Sequence, residues 1–212
     1  MVTVELTVLL LGLGLIIGTF LALGQTYGPP VLAVMIEGYE RFFRSVPALV
    51  LLFLFYFGGS YFGFYLSPLL AAVLALGFRS SAYQSQIFRG AIQAVRQEQM
   101  LAARSIGMSR FAAIRYVVLP QALRLSITPW SNEYSSVLKD SSFAYAVGVV
   151  ELVREGRYII VRTFEPMIVY LIIAVMFLLL TYTGNRLLRA LENRLAVPGC
   201  AGNQRGMKDV GI

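Results

Sequence analysis

Four polar residues lie within long apolar stretches of the sequence, where an ionisable side chain is costly. Arg79, Tyr83 and Gln86 follow the apolar run 68–78, and Glu133 lies in a later segment. A guanidinium can bind a carboxylate through two parallel hydrogen bonds, and a carboxylate can bind an ammonium group. Arg79 and Glu133 are therefore candidates to hold the two charged ends of an amino acid. They could equally neutralise each other, or other neighbours, as structural ions.

Helical spacing places these candidates on two stripes. One stripe has offsets of 4, 7 and 11 and consists of Arg79, Tyr83, Gln86 and Gly90. The other consists of Pro129, Glu133, Ser136 and Asp140. A charge at the bilayer centre costs about 2.5–3.5 kcal/mol, so both stripes are expected to face protein or water, as a solute path requires. Lys139 and Asp140 are expected to cap or pair locally at the end of their segment.

The composition indicates a protein whose solvent is lipid. Hydrophobic residues make up 58% of the 212 residues and charged residues 14%, whereas soluble domains are about half apolar and a quarter charged. Histidine is absent, and the single cysteine is Cys200. The commonest general base and any disulfide within the chain are therefore excluded. No metal site is expected, and the net charge of +7 is assigned to cytoplasmic loops rather than to nucleic-acid binding.

The apolar segments predict an all-α integral membrane protein with about five transmembrane helices. The predicted spans cover residues 3–24, 47–57 (extending toward 64), 68–86, 125–150 and 167–182. An amphipathic helix is predicted over 31–44, either at the membrane interface or at the edge of the bundle. A short turn is predicted over 58–67, and a polar linker with a possible short helix over 151–166. The glycines of Gly14-x-x-x-Gly18 either admit a close helix or have no special partner. Residues 1–195 form one domain, and 196–212 a disordered tail.

The distribution of basic residues fixes the orientation. With the N-terminus outside and the C-terminus inside, 13 of the 18 basic residues lie in cytoplasmic segments and 3 outside, and the other two lie in the membrane. The reverse orientation violates the positive-inside rule. Six arginines fall in the stretch 89–124 alone, which is therefore predicted to be a cytoplasmic loop. Within it, residues 98–116 predict helices that are broken at Gly107, with Ser109 as the cap of the second.

This loop resembles a known signature. Ala102, Ala103, Gly107, Leu119 and Pro120 match in register the pattern E-A-A-x3-G-x9-I-x-L-P of the permease subunits of ABC importers. Leu101 replaces the usual Glu of that pattern, and Val117 the usual Ile. The segments 43–47, 80–90, 119–124 and 138–142 look like the polar amino-acid branch of these permeases. The resemblance covers about residues 3–195.

The resemblance implies a mechanism and a set of partners. Such permeases pair as homodimers or heterodimers in the plasma membrane of prokaryotes, and a separate solute-binding protein delivers amino acids or similar polar solutes from outside. A short coupling helix docks on an ABC ATPase subunit, which binds ATP and Mg and hydrolyses the ATP, so this chain is a transport subunit that binds no cofactor. The implied coupling residues are Ala102, Ala103, Arg104, Gly107 and Ser109.

Two other classes of function compete with this hypothesis. An intramembrane hydrolase would need an aspartate pair or an activated serine, but the aspartates are only Asp140 and, in the tail, Asp209. The sequence also lacks a phosphate-binding P-loop, so another chain would have to hydrolyse ATP. A scaffold or channel subunit without a transport cycle is the second alternative. ATP dependence of solute uptake separates it from an importer.

Overall fold

The regular structure of the chain is helical wherever the structure describes it. A computed structural model describes residues 2–61, 63–95 and 97–195, and these ranges contain helices and short connections. The all-helical class predicted from the sequence is therefore confirmed for the described part. The predicted tail 196–212, with Cys200, and Arg96 of the predicted loop lie outside the described residues.

Two long helices form the centre of the bundle. Helix α1 spans Val2–Tyr27 and packs along α4, which spans Pro68–Ala94. Gly14 and Gly18 face α4 so closely that a Cβ built on Gly18 would lie 2.9 Å from the Ser81 carbonyl oxygen. The glycine motif therefore has a specific partner. A helix of 27 residues is about 40 Å long, enough to cross a bilayer.

Helices α2 and α3 form a bent pair rather than one straight span. Helix α2 covers Pro30–Ser45 and α3 covers Ala48–Tyr61, and their axes differ by 103°. Pro47 lies at the break, where its ring disfavours a helical conformation for the residue before it. The amphipathic helix predicted over 31–44 is confirmed. The turn predicted over 58–67 begins too early, because α3 continues to Tyr61.

The segment between α4 and the next long helix contains a helical knob. Helix α5 covers Gln97–Ser105, and after a turn α6 covers Arg110–Ala113. A π-helical turn, Ile114–Val118, then leads into α7, Leu119–Asp140. Pro120 at the start of α7 has no N–H to donate, and a wider turn before it accommodates this loss. The helix predicted over 125–150 therefore starts earlier and ends ten residues sooner than expected.

The C-terminal part of the fold consists of α8 and α9. A 3-10 turn, Ser141–Val147, ends at Gly148, whose φ is +106°. Helix α8 covers Leu152–Thr163, which confirms the predicted short helix, and α9 covers Pro166–Leu195. Glu151 caps α8 by accepting hydrogen bonds from the backbone N–H groups of Val153 and Arg154. Burial raises the pKa of the Glu151 carboxyl, and these two bonds oppose the shift.

Length and composition identify only part of the predicted set of spans. Among the described residues, α1 and α9 are each long and apolar enough to cross a membrane, and the bent pair α2–α3 qualifies if it counts as one span. Helices α4 and α7 carry many polar residues. Those polar residues either pack inside the bundle or form the site described next.

Candidate functional site

Helix α4 positions most of the candidate site because its faces contact different neighbours. It packs against α1, α2, α3 and α7. Ser81, Gln84 and Ser85 are fully buried in these contacts. The stripe of Arg79, Tyr83, Gln86 and Gly90 lies on a different side of the helix, where the side chains of the first three are only partly buried and Gly90 is exposed. The predicted stripe is therefore accessible beside the bundle core.

Arg79 is paired with Asp140 of α7. Its Nη1 donates to Asp140 Oδ2 at 2.6 Å, and the two side chains are 23% and 24% exposed. The expectation that Asp140 pairs locally is therefore wrong, because the end of α7 lies against the middle of α4. This ion pair satisfies a charge on each helix, and it joins the two stripes that were predicted to line a path.

Tyr83 lies between two guanidinium groups. The Arg79 Cζ is 4.9 Å from the centre of the Tyr83 ring, and the Arg44 Cζ of α2 is 5.1 Å from it. An aromatic ring attracts a nearby cation through its quadrupole. The ring therefore connects Arg79, near the middle of α4, with Arg44 at the end of α2, and it helps to hold two positive charges close together.

Gln86 belongs to a polar cavity between α1, α2 and α4. Its Nε2 donates to Glu40 Oε2, and its Oε1 accepts a hydrogen bond of 2.9 Å from Arg89. The cavity has a volume of about 410 Å³, and Glu40, Arg44 and Gln25 also contribute to its lining. This volume falls within the range of small-molecule pockets.

Glu133 lies apart from the other three candidates, in a buried network. It is 8% exposed, and its Oε1 accepts a hydrogen bond of 2.8 Å from Ser80. Gln84 donates to Ser80 and to the Leu11 carbonyl, and Trp130 Nε1 donates to Gln84 Oε1 at 2.8 Å. This network ties α1, α4 and α7 together, so the structure does not bring Glu133 and Arg79 together as a direct pair.

Two site residues on α2 escaped the sequence analysis. Glu40 and Arg44 were assigned only to an amphipathic helix at the interface or at the bundle edge, whereas Glu40 is 2% exposed and both residues line the polar cavity. The available signal was the spacing of the charged residues at positions 37, 40, 41 and 44. Residues three and four apart are neighbours on a helix surface, so at least two of these residues, Arg44 among them, were expected on the side of α2 that meets α4.

The knob between α4 and α7 has a defined turn. Gly107 has a φ of +88°, the N–H of Met108 donates to the Ala103 carbonyl at 3.2 Å, and the N–H of Gly107 donates to the Arg104 carbonyl at 3.1 Å. These bonds form a Schellman ending of α5 with glycine in the left-handed position. The Ser109 hydroxyl then accepts from the N–H of Ala112 and caps α6. The predicted break at Gly107 and the predicted cap are confirmed.

The surface of the knob combines exposed apolar and basic side chains. Leu101 is 65% exposed, Ile106 80% and Phe111 76%. Ala102, Arg104 and Ser109 are also exposed, whereas Ala103 is buried. Exposed apolar patches on proteins mark sites of interaction with another protein or with a membrane. Among the described residues, no group of three or more His, Cys, Asp or Glu side chains is arranged to hold a metal ion.

Comparison with known proteins assigns a family. Residues 14–197 match the family described as binding-protein-dependent transport system inner membrane component. The nopaline transport system permease protein NocM of Agrobacterium fabrum is 32% identical over 200 residues, which cover 90% of this chain and 83% of that protein. The glutamine transport system permease protein GlnP of Escherichia coli is 32% identical over 197 residues, 92% of this chain and 90% of that protein.

Solved structures agree with this assignment. A chain of an amino acid ABC transporter crystallised with histidines superposes with a TM-score of 0.84 at 35% identity, over 91% of this chain and 90% of that one. A chain of the inward-facing MetNI methionine ABC transporter has a TM-score of 0.79 at 19% identity, over 92% and 93%. At this lower identity the second likeness supports the fold alone.

Proposed function

Because this chain belongs to the family of binding-protein-dependent transport system inner membrane components, and is a permease subunit of an ABC importer, we propose that it carries amino acids or similar polar solutes into the cell. The observation that carries the proposal is the polar stripe of α4, which is accessible beside the bundle core and paired across to α7. The related nopaline and glutamine permeases and the similar amino acid ABC transporter support amino acids or similar polar solutes as the class of solute.

The proposed arrangement in the membrane has five crossings, with the N-terminus outside and the knob on the cytoplasmic side between the third and fourth. Helices α1, α4, α7 and α9 and the bent pair α2–α3 supply the crossings, residues 1–195 form the transmembrane domain, and 196–212 form a cytoplasmic tail. The membrane is the plasma membrane of a prokaryote. Labelling with an impermeant maleimide tests this arrangement: in a Cys200→Ser background, Thr163→Cys should react in intact cells and Ser105→Cys only after permeabilisation.

The proposed coupling to the ATPase uses the loop 97–120. Ala102, Ala103, Arg104, Gly107 and Ser109 shape or line the knob, and its exposed apolar side chains fit a groove on another protein. Hydrolysis of ATP belongs to the partner ATPase and not to this chain. We expect ATP and Mg to bind on that partner, a second permease subunit to complete the pathway, and an extracytoplasmic solute-binding protein to deliver the solute.

The proposed solute path follows Arg79, Tyr83 and Gln86 along α4. Their side chains run from the ion pair with Asp140 toward the polar cavity beside α2. Glu133 supports this path from the neighbouring face of α4, where its carboxylate accepts a hydrogen bond from the Ser80 hydroxyl. The path thus offers hydrogen-bonding groups at successive turns of a helix, as passage of a polar solute through lipid requires.

A panel of radiolabelled solutes tests the proposed class of substrate. The complex of this chain with its co-purifying ATPase and second permease is reconstituted with the solute-binding protein and ATP. Each of the twenty common amino acids is compared with maltose and with inorganic phosphate. Uptake of one or a few amino acids, and of neither control, is the expected result. Uptake of the sugar or phosphate alone would exclude the proposed class.

A further inference from the structure

The polar cavity beside α2 contains three charged residues that no ion pair neutralises in the described part of the chain: Glu40, Arg44 and Arg89. Arg41, which also lines the cavity, pairs with Glu37 at 2.6 Å, and Arg89 donates a hydrogen bond to the neutral amide of Gln86. Glu40 and Arg44 lie one helical turn apart on α2. Their Cβ atoms are therefore about 5–6 Å apart on one side of the helix, and both line the cavity.

Arg44 has an unused set of donors. Its guanidinium lies over the Tyr83 ring at 5.1 Å, and among the described residues it has no hydrogen bond to an acceptor and no carboxylate within ion-pair distance. Stacking on an aromatic ring fixes the plane of a guanidinium while leaving its N–H edge free. Such an edge binds a carboxylate through two parallel hydrogen bonds.

Glu40 has an unused acceptor. The residue is 2% exposed, Oε2 accepts from Gln86, and Oε1 is buried without a hydrogen-bond partner in the described part of the chain. A buried carboxylate oxygen without a partner is destabilising. A donor brought by a ligand would satisfy this oxygen, and an ammonium group would also neutralise the charge.

We propose that Arg44 and Glu40 bind the two charged groups of a zwitterionic amino acid. Arg44 takes the α-carboxylate and Glu40 the α-ammonium group, while the remaining volume of the cavity, toward Gln25 and Arg89, holds the side chain. This proposal rests on the proposed transport of amino acids, and it places the recognition of the charged ends on α2 rather than on Arg79 and Glu133. The Arg79 guanidinium is paired with Asp140, and the Glu133 carboxylate accepts a hydrogen bond from Ser80.

Binding measurements with modified amino acids test the proposal. The intact complex in phosphatidylglycerol nanodiscs is titrated by calorimetry with the amino acid that supports the fastest uptake in the panel, with its methyl ester and with its N-acetyl derivative. The wild-type complex is expected to prefer the amino acid over each derivative by about tenfold or more. The ester lacks the negative charge that Arg44 recognises, and the N-acetyl derivative lacks the positive charge that Glu40 recognises.

Two variants should each remove one preference and keep the other. Arg44→Gln should bind the amino acid and its methyl ester with similar affinity while still discriminating against the N-acetyl derivative. Glu40→Gln should show the opposite pattern. A purely structural role would weaken all three ligands together. If Arg44→Gln still prefers the amino acid over the ester by tenfold, or Glu40→Gln still rejects the N-acetyl derivative, the assignment is wrong.

Exposed residues outside the cavity offer matched controls. Arg162→Gln and Glu165→Gln change the same residue types at exposed positions that do not line the cavity, and both should retain the two preferences. Arg44→Lys, which keeps the charge, should retain a reduced preference for the acid. If no Arg44 variant co-purifies with the ATPase, the Glu40→Gln arm alone decides the outcome.

Two further outcomes separate this proposal from its premise and from a lipid site. If the wild-type complex transports no amino acid of the panel, the proposed function fails and this proposal fails with it. If transport is normal but both variants keep their preferences, only the site is wrong. A phosphatidylethanolamine headgroup carries the same two charges, so loss of amino-acid binding on adding this lipid would assign the cavity to lipid and overturn the proposal.

Discussion

At the scale of single residues, the pairing of charges decides which groups remain for a solute. Arg79 meets Asp140, and Glu133 meets Ser80. Both candidates are therefore engaged, whereas Arg44 and one oxygen of Glu40 are not. A charge that is already paired gains little from a ligand, whereas the buried Glu40 oxygen would gain a hydrogen bond and the exposed Arg44 guanidinium an ionic partner. This contrast is the basis of the proposal that α2, rather than α4, recognises the charged ends of the solute.

The ion pair between Arg79 and Asp140 can be tested by a double-mutant cycle. Arg79→Gln and Asp140→Asn should each lose roughly 1.5–3 kcal/mol of stability, because each leaves a largely buried charge without its charged partner. The double variant should lose less than the sum of the two. Thermal unfolding of the purified complex in detergent measures these effects. The coupling between Arg79→Gln and Glu133→Gln should be smaller, because those two side chains form no direct pair, and a coupling of Arg79 to Asp140 no larger than this would contradict the assigned pair.

The sequence predicted the polar residues but not their partners. The repeat of 79, 83, 86 and 90 indicated one stripe correctly, since helical spacing alone determines which residues share a face. Whether Glu133 or Asp140 meets Arg79 depends on the rotation of α7 about its axis and on its depth beside α4. Tertiary packing sets both quantities, and no pattern within one segment reports them.

At the scale of elements, small residues decide how closely the helices approach. Gly18 allows α1 to lie against the backbone of α4, where a Cβ would be 2.9 Å from the Ser81 carbonyl oxygen and 3.0 Å from the Ser85 nitrogen. Gly184 of α9 similarly leaves room for the Tyr134 ring. Interfaces of this kind are typical of helices in lipid, where close packing replaces the hydrophobic effect between helices.

Alanine at Gly18 should destabilise the bundle, while alanine at Gly12 should not. Gly12 lies on the same helix, and a Cβ there has no neighbour within 4 Å. The gain in helix propensity is the same at both positions, so the difference between the two variants isolates the clash. Overpacking of this type costs about 1–3 kcal/mol. Equal unfolding midpoints of the two variants in detergent would show that α1 and α4 do not approach as described.

The knob is the second element whose geometry depends on one glycine. Gly107→Ala should weaken coupling between ATP hydrolysis and uptake, because the φ of +88° costs an L-residue roughly 1–2 kcal/mol. Gly38→Ala, a helical glycine whose Cβ would meet nothing within 4 Å, is the matched control. The ratio of solute transported to ATP hydrolysed in proteoliposomes should fall for Gly107→Ala only. An unchanged ratio would count against the docking role.

The sequence predicted the elements unevenly. Gly107, Ser109 and the apolar runs of α1 and α9 were identified because glycine, capping residues and hydropathy act locally. The end of α7 was misplaced, since the mostly apolar residues 143–147 continue a helical pattern after Ser141 and Ser142, yet the α-helix gives way to a 3-10 turn at Ser141. The sequence left open whether α2 lies at the membrane interface or at the edge of the bundle, because an amphipathic helix looks the same beside lipid headgroups and beside α4.

At the scale of the whole molecule, the fold leaves polar groups on its surface that would face lipid if the chain stood alone in a membrane. The described part of α9 buries little of its apolar surface within the chain, and the stripe of α4 remains accessible. A second permease subunit facing this side would enclose the stripe and the cavity beside α2. In the proposed arrangement the knob would project toward the ATPase, and the proposed solute path and coupling surface lie in one continuous piece of chain from α4 to α7.

The most direct test of this account is whether solute uptake requires ATP. Proteoliposomes contain the complete complex, with ATP and Mg enclosed on the side of the knob and solute-loaded binding protein on the other. We predict that the amino acid accumulates against its gradient with ATP, and not with a non-hydrolysable analogue or without the binding protein. Entry of the solute at the same rate without ATP would contradict the account and identify a channel instead.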